Sequence, residues 1–190
     1  MCDSGGQYKY GTTDITRTIT LGKQTKKIKN IFTYVLKGHI AVANSNLNRL
    51  KSAHLIDILA RKFLNKNGLD YPHGTGHGVG YFLNVHEGPI AISKGYKIKL
   101  KPGHVISNEP GFYKKGKFGI RIENMIYVKQ IKSKIFFENL TMVPIDKELI
   151  NFNLLNKNEK NYLLNYNLKI YSNVEKFLNY KEKFWLLSQF

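Results

Sequence analysis

The chain has 190 residues, a formal charge of +17, one cysteine and 42% hydrophobic residues. That length suits one domain with a real core. The lone Cys2 excludes an internal disulfide and fits a reducing compartment, and no run of about eighteen apolar residues offers a membrane span. The opening MCDSGG has neither the basic region nor the apolar stretch of a secretion signal. Nearly all the positive charge is lysine, since arginine stands only at Arg17, Arg49, Arg61 and Arg121. A surface for a polyanion is one reading of that charge. The scattered lysines and patches such as NFNLLNKNEKNYLLNYN fit adenine-rich codons better. No nucleic-acid partner is expected, because base-reading sites usually use arginine forks.

In chain order, residues 1–22 read as a β-hairpin followed by a strand: DSGGQY and TDITRTITL alternate polar and apolar side chains around a glycine turn. Residues 26–65 read as helical, with one apolar stripe of Leu36, Ile40, Val42 and Ala43 and another of Leu55, Ile56, Leu59, Ala60 and Phe63. Asn67 and Gly68 stop the second helix. HGTGHGVGYFLNVHEGP, residues 73–89, is a glycine-rich loop with three histidines. Residues 98–113 read as a strand entering a turn, with Pro102-Gly103 as a turn signal. Residues 119–131 read as one strand, FFENLTMVPI as a short β segment, and the tail as helices anchored by Tyr162, Phe177 and Trp185. No linker interrupts the chain, so 1–190 reads as a single domain.

One pattern recurs. In DSGGQYKYGTTDITRT, Asp3 and Asp14 bracket a glycine-rich turn; in NEPGFYKKGKFGIRIEN, Glu109 and Glu123 do the same. Two such hairpins suggest a two-fold pseudo-repeat that converges four carboxylates, with the histidine loop between them. Each aspartate alone is an ordinary turn former. Together, four carboxylates without a cation would repel and raise one another's pKa values, whereas with one imidazole they form a ligand set for two divalent metals. A metal pair about 3.5–4 Å apart can bridge and activate a water. Gly74, Gly76 and Gly78 argue against a helix through His73 and His77, so the two rings point differently. His39, His54 and His104 lie outside the cluster and read as surface or structural.

DSGGQYKYGTTDITRT, HGTGHGVGYFLNVHEGP, SNEPGFY and GIRIEN together resemble the signature segments of the pita-bread metallopeptidases, in particular the aminopeptidase P (Xaa-Pro aminopeptidase) branch. The likeness covers almost the whole chain. It implies an α+β pita-bread fold and a dinuclear centre, usually Mn²⁺, with Zn²⁺ or Co²⁺ as alternatives. It also implies a peptide substrate with proline in second position and a cytoplasmic enzyme that is a homodimer at full length. By motif, Asp3, Asp14, His77, Glu109 and Glu123 would be the metal ligands, with Asp14 and Glu123 bridging. Asp3 would hold one metal, and His77 and Glu109 the other. His73 and His86 would line the substrate, Glu109 would be the general base, and Arg121 would support Glu123. A prolidase acting on dipeptides and a non-catalytic binding module of the same fold are the alternatives. In the family further chain precedes the first ligand, so the 190 residues are expected to be the C-terminal portion of a catalytic domain, incomplete on its N-terminal side and poorly folded alone.

Overall fold

The structure is a computed structural model that describes residues 1–50, 52–81 and 84–190. The first hairpin joins β1 (Cys2–Tyr8) to β2 (Gly11–Arg17). Its turn falls at Lys9 and Tyr10, not at the glycines; Gly5 and Gly6 lie inside β1, opposite Asp14 and Thr13. A Cβ at Gly6 would run into the Tyr8 ring. No strand follows the hairpin directly: β2 ends at Arg17, short of the expected Leu21.

Helix α1 (Lys26–Ala43) is capped by Thr25, whose hydroxyl accepts from the Ile28 N–H. Helix α2 (Ala53–Asn65) stacks against it. Their approach is close because Gly38 has no Cβ to meet the Ala60 carbonyl. The expected stripe of α1 is buried. In α2, Leu55 is exposed and Asp57 is buried in its place, which corrects the apolar stripe.

Five antiparallel strands form the main sheet in the order β4 (Glu87–Ile92), β3 (Gly76–Gly78), β5 (Val105–Asn108), β8 (Asn124–Ile131) and β9 (Lys134–Asn139). The histidine loop therefore contains a short central strand; residues 82 and 83 of that loop fall outside the described residues. Gly76 is needed where β3 crosses β5, since a Cβ there would collide with the Ser107 carbonyl. A second hairpin pairs β6 (Gly111–Lys114) with β7 (Phe118–Arg121), and its turn does use a glycine, Gly116 at φ +68°.

Residues 119–131 are two strands rather than one. The break at Ile122 and Glu123 arises because the Ile122 N–H donates to Pro110 O (3.3 Å) and the Glu123 N–H to Thr16 O (3.1 Å). Segment 98–104 is not strand, and β9 covers only the start of the expected final β segment.

Helices α3 (Lys157–Val174) and α4 (Tyr180–Ser188) begin with capping boxes, Asn156 with Glu159 and Asn179 with Glu182. Tyr162 is packed as expected, but Phe177 and Trp185 are exposed, and Tyr166 is the buried aromatic anchor. One apolar cluster joins α1, α3 and the second hairpin; the other lies between α1, α2 and the main sheet. Among the described residues, no helix is long and apolar enough to cross a membrane.

Candidate metal centre

Alternation along β1 and β2 sets the first half of the site. Asp14 pairs with Gly5 and Thr16 with Asp3, so Asp3, Asp14 and Thr16 share one face. Gly5 leaves the space opposite Asp14 free of a side chain. The second half is built by the same register. Gly111 pairs with Arg121, placing Glu109 two residues before β6 and Glu123 two residues after β7. His77 arrives on β3, beside β5.

All seven residues expected at the site line one cavity of about 510 Å³: Asp3, Asp14, His73, His77, His86, Glu109 and Glu123, together with Arg121, Ser93 and Tyr96. Their donor atoms form overlapping triads, each within 4.8 Å: Asp3, Asp14 and Glu123; His77, Glu109 and Glu123; and Asp14, His77 and His86. Glu123 and Asp14 are buried, whereas the Asp3 side chain is 52% exposed.

Each donor is held by neighbours. The His77 Nδ1–H donates to Gly78 O at 2.9 Å, which turns Nε2 to the cavity, 3.1 Å from Glu109 and 3.6 Å from Asp14. Burial pushes the His77 imidazole down, but its hydrogen bonds to Asp14 and Glu109 outweigh this and lift it to about 10. Burial raises Glu109, yet the hydrogen bond and charge of His77 and the Ser107 hydroxyl (2.9 Å) hold it below the ordinary carboxylate range. Glu123 is pushed up to about 7 by burial and then by the charge of Glu109, against a hydrogen bond from the Thr16 hydroxyl at 2.6 Å.

Arg121 supports Glu123 mainly through an intermediary: its Nε donates to Thr16 Oγ1 at 2.8 Å and stands 3.9 Å from Glu123 itself. Its Nη2 pairs with Asp3 and its Nη1 donates to the Tyr113 hydroxyl at 3.2 Å. The His73 Nδ1–H donates to Gly74 O at 2.7 Å, leaving Nε2 to accept from the Tyr113 hydroxyl, also at 2.7 Å. The exposed His86 ring meets His77 edge-on, with centroids 4.0 Å apart. Of the remaining histidines, His39 is buried and packs against the Asn108 carbonyl.

The sequence did not point to Thr16, Ser107, Tyr113 or Arg17 as parts of the site. Thr16 has a sequence signal, alternation with Asp14 on a β-branched strand; the other three are set by long-range contacts. Arg17 is buried and donates to the carbonyls of Glu123 (2.6 Å), Thr16 (2.9 Å), Val143 (2.8 Å) and Pro144 (2.9 Å), to Asn124 Oδ1 (2.7 Å) and to the Tyr166 hydroxyl (3.0 Å). It ties the strand of Asp14 and the break that carries Glu123 to the C-terminal segment.

A carboxylate-rich cavity lined also by three imidazoles, on this fold, defines a class. The chain matches metallopeptidase family M24 over residues 1–130 and the C-terminal region of peptidase M24 over residues 135–189. It belongs to metallopeptidase family M24, and its fold is the α+β pita-bread fold. "Probable Xaa-Pro aminopeptidase P" of Botryotinia fuckeliana is 50% identical over 188 residues, 93% of this chain and 29% of that protein. The protein of the same name from Laccaria bicolor is 46% identical over 189 residues, 94% of this chain and 29% of that one. Among solved structures, the X-prolyl aminopeptidase of Caenorhabditis elegans, described as a cytosolic enzyme with a di-nuclear active site, superposes with a TM-score of 0.90 at 40% identity, over 98% of this chain and 32% of that chain. The prolidase of Pyrococcus horikoshii OT3 superposes at 0.66 with 34% identity, over 78% of this chain and 40% of that one. The chain thus spans less than a third of the length of the curated relatives named here.

Proposed function

We propose that this chain is the C-terminal portion of the catalytic domain, a single unit, of an Xaa-Pro aminopeptidase, which releases an N-terminal residue that precedes proline. The observation that carries this is the pair of donor triads sharing Glu123, with Asp3 and Asp14 on one side and His77 and Glu109 on the other. The donor chemistry fits two divalent cations. A Glu123 carboxyl raised to about 7 by burial and by Glu109 marks a concentration of negative charge that bound cations relieve. Oxygen donors with one imidazole suit Mn²⁺ first, and Zn²⁺ or Co²⁺ after it.

In this reading Asp14 and Glu123 would be shared by both ions, Asp3 would help hold one, and His77 and Glu109 would help hold the other. When bound, the pair supplies an activated water and an electrophile for the scissile carbonyl. Glu109, kept ionised by His77 and Ser107, is placed to accept a proton from the attacking water. His73, anchored to Tyr113, and His86, on the open side of His77, face the substrate and serve proton transfer or oxyanion stabilisation. Arg121 holds Asp3 and, through Thr16, Glu123.

The curated relatives at 46–50% identity are named for Xaa-Pro aminopeptidase P, and an X-prolyl aminopeptidase superposes at 0.90 over nearly the whole chain, which favours the aminopeptidase over a dipeptidase. The retained donor set weighs against a non-catalytic binding module. By the same resemblance the intact protein is a cytoplasmic homodimer. The test is hydrolysis by the intact protein with Mn²⁺. Cleavage of Xaa-Pro-Pro tripeptides in clear preference to proline-free peptides is expected. Cleavage of Xaa-Pro dipeptides alone would assign a prolidase, and no cleavage would remove the proposal.

A further inference from the structure

Behind the metal cavity lies a second cavity, of about 580 Å³, and the two share His73, Gly74 and Ser93 as a common wall. His73 sits in that wall on a stretch, residues 70–75, with no regular secondary structure. The ring bonds Gly74 O and the Tyr113 hydroxyl, but no strand pairing holds the backbone that carries it. A buried polar cluster on α2 holds the backbone instead.

Arg61 lies at the centre of that cluster. Its Nε donates to Asp57 Oδ2 at 2.9 Å, its Nη1 to Asp70 Oδ1 and to Tyr71 O at 2.8 Å each, and its Nη2 to His73 O at 2.5 Å. The guanidinium also stacks over the Tyr71 ring, 3.9 Å from its centroid. Asp57, 2% exposed, is fixed on its other oxygen by the Thr75 hydroxyl at 2.6 Å, which in turn accepts from the Tyr71 hydroxyl. Asp57 thus holds Nε, while both Nη groups are aimed at residues 70–73, with one bond to each of the carbonyls that flank Pro72.

We propose that Arg61, oriented by Asp57, is a positioning residue for His73. The clamp on the Tyr71 and His73 carbonyls sets the imidazole against Tyr113 at the edge of the metal cavity. The inference rests on the aminopeptidase reading for its effect on turnover, but not for its effect on the ring. A planar fork is required, because an ammonium at the same place is a point charge that cannot hold Asp57 and two separate carbonyls in one plane. Displacing a reacting group by about 1 Å can cost 10²-fold in rate, so a loosened clamp is felt in turnover before it is felt in binding.

The test uses the intact protein, wild type, Arg61→Lys and the double variant Asp57→Leu/Arg61→Met. Three quantities are read. The first is the ¹⁵N shifts of the His73 ring at about pH 8.5, above the ordinary imidazole range, assigned with His73→Gln. The second is kcat and KM on an Xaa-Pro-Pro peptide, and the third is the denaturant midpoint. Wild type is expected to show one tautomer, protonated on Nδ1. Arg61→Lys is expected to show averaged tautomers and a kcat lower by about tenfold or more with KM within about twofold. Removing both buried charges together costs less than leaving one unpaired, so the double variant's midpoint should stay much closer to wild type than its kcat does. A kcat that recovers along with the midpoint would make the pair structural only and overturn the proposal. So would a fixed wild-type tautomer and full kcat in Arg61→Lys. If wild type itself cleaves nothing, the aminopeptidase reading falls and the tautomer comparison alone decides the clamp.

Discussion

The Thr16 hydroxyl donates to Glu123 Oε2 across 2.6 Å, joining residues 107 positions apart in the chain. The same hydroxyl accepts from Arg121 Nε. One small side chain therefore orients the carboxylate shared by both halves of the site and connects it to the arginine that holds Asp3.

Thr16→Val keeps the shape and removes both hydrogen bonds. Groups that orient ligands typically contribute 10–100-fold in metal affinity. Affinity for Mn²⁺ should fall by about that factor, read by calorimetric titration, while Thr16→Ser stays near wild type. An unchanged affinity in the valine variant would mean that Glu123 needs no such support.

Arg17 predicts an effect on stability. Its donors satisfy six acceptors, and among the described residues no carboxylate side chain pairs with it. Arg17→Met relieves the desolvation of a buried cation, which burial already shows by lowering the Arg17 pKa. It also strands several buried acceptors at about 1–3 kcal/mol each, and the second effect should win by about 3 kcal/mol. The denaturant midpoint measures it; a loss under about 0.5 kcal/mol would contradict the reading.

The histidines separate by role. His77→Ala removes a donor and should release metal and abolish turnover. His86→Ala should keep the metal and lose about 10²-fold or more in kcat. Metal analysis beside steady-state kinetics checks both. Metal loss in the His86 variant would move His86 into the ligand set with Asp14 and His77, a geometry the third triad allows.

His39 gives a pH dependence. Burial first, and then the charge of Arg17, lowers its pKa to about 3. Between about 6.5 and 3 the unfolded chain binds this proton and the folded protein does not. The folded state is therefore unpenalised above about pH 6.5 and loses stability as pH falls toward 3, by about 2 kcal/mol between pH 7 and 5. Denaturant midpoints at the two pH values should converge for His39→Gln relative to wild type. Equal pH slopes in the two proteins would exclude the effect.

Much of the site was legible because its residues come in short local patterns. Asp3 and Asp14 flank one hairpin and Glu109 and Glu123 another, and the glycines around His77 announce a tight backbone. What was not legible depends on distant partners. The split between β7 and β8 exists because Glu123 turns its N–H to Thr16. Asp57 replaces Leu55 on the buried face of α2 because Arg61 and Thr75 meet it there. Tyr166, rather than Trp185, anchors the C-terminal helices because its hydroxyl reaches Arg17 and the Val143 carbonyl. No local periodicity encodes those contacts.

The proposed Xaa-Pro cleavage requires these residues to hold two cations. The most direct measurement of that requirement is a titration of the chelator-treated intact protein with Mn²⁺, following bound metal and Xaa-Pro-Pro hydrolysis together. Binding should saturate at two ions per chain, with turnover appearing as they bind and lost in both Asp14→Asn and Glu123→Gln. Saturation at one ion or none, or full turnover in the chelated protein, would contradict it.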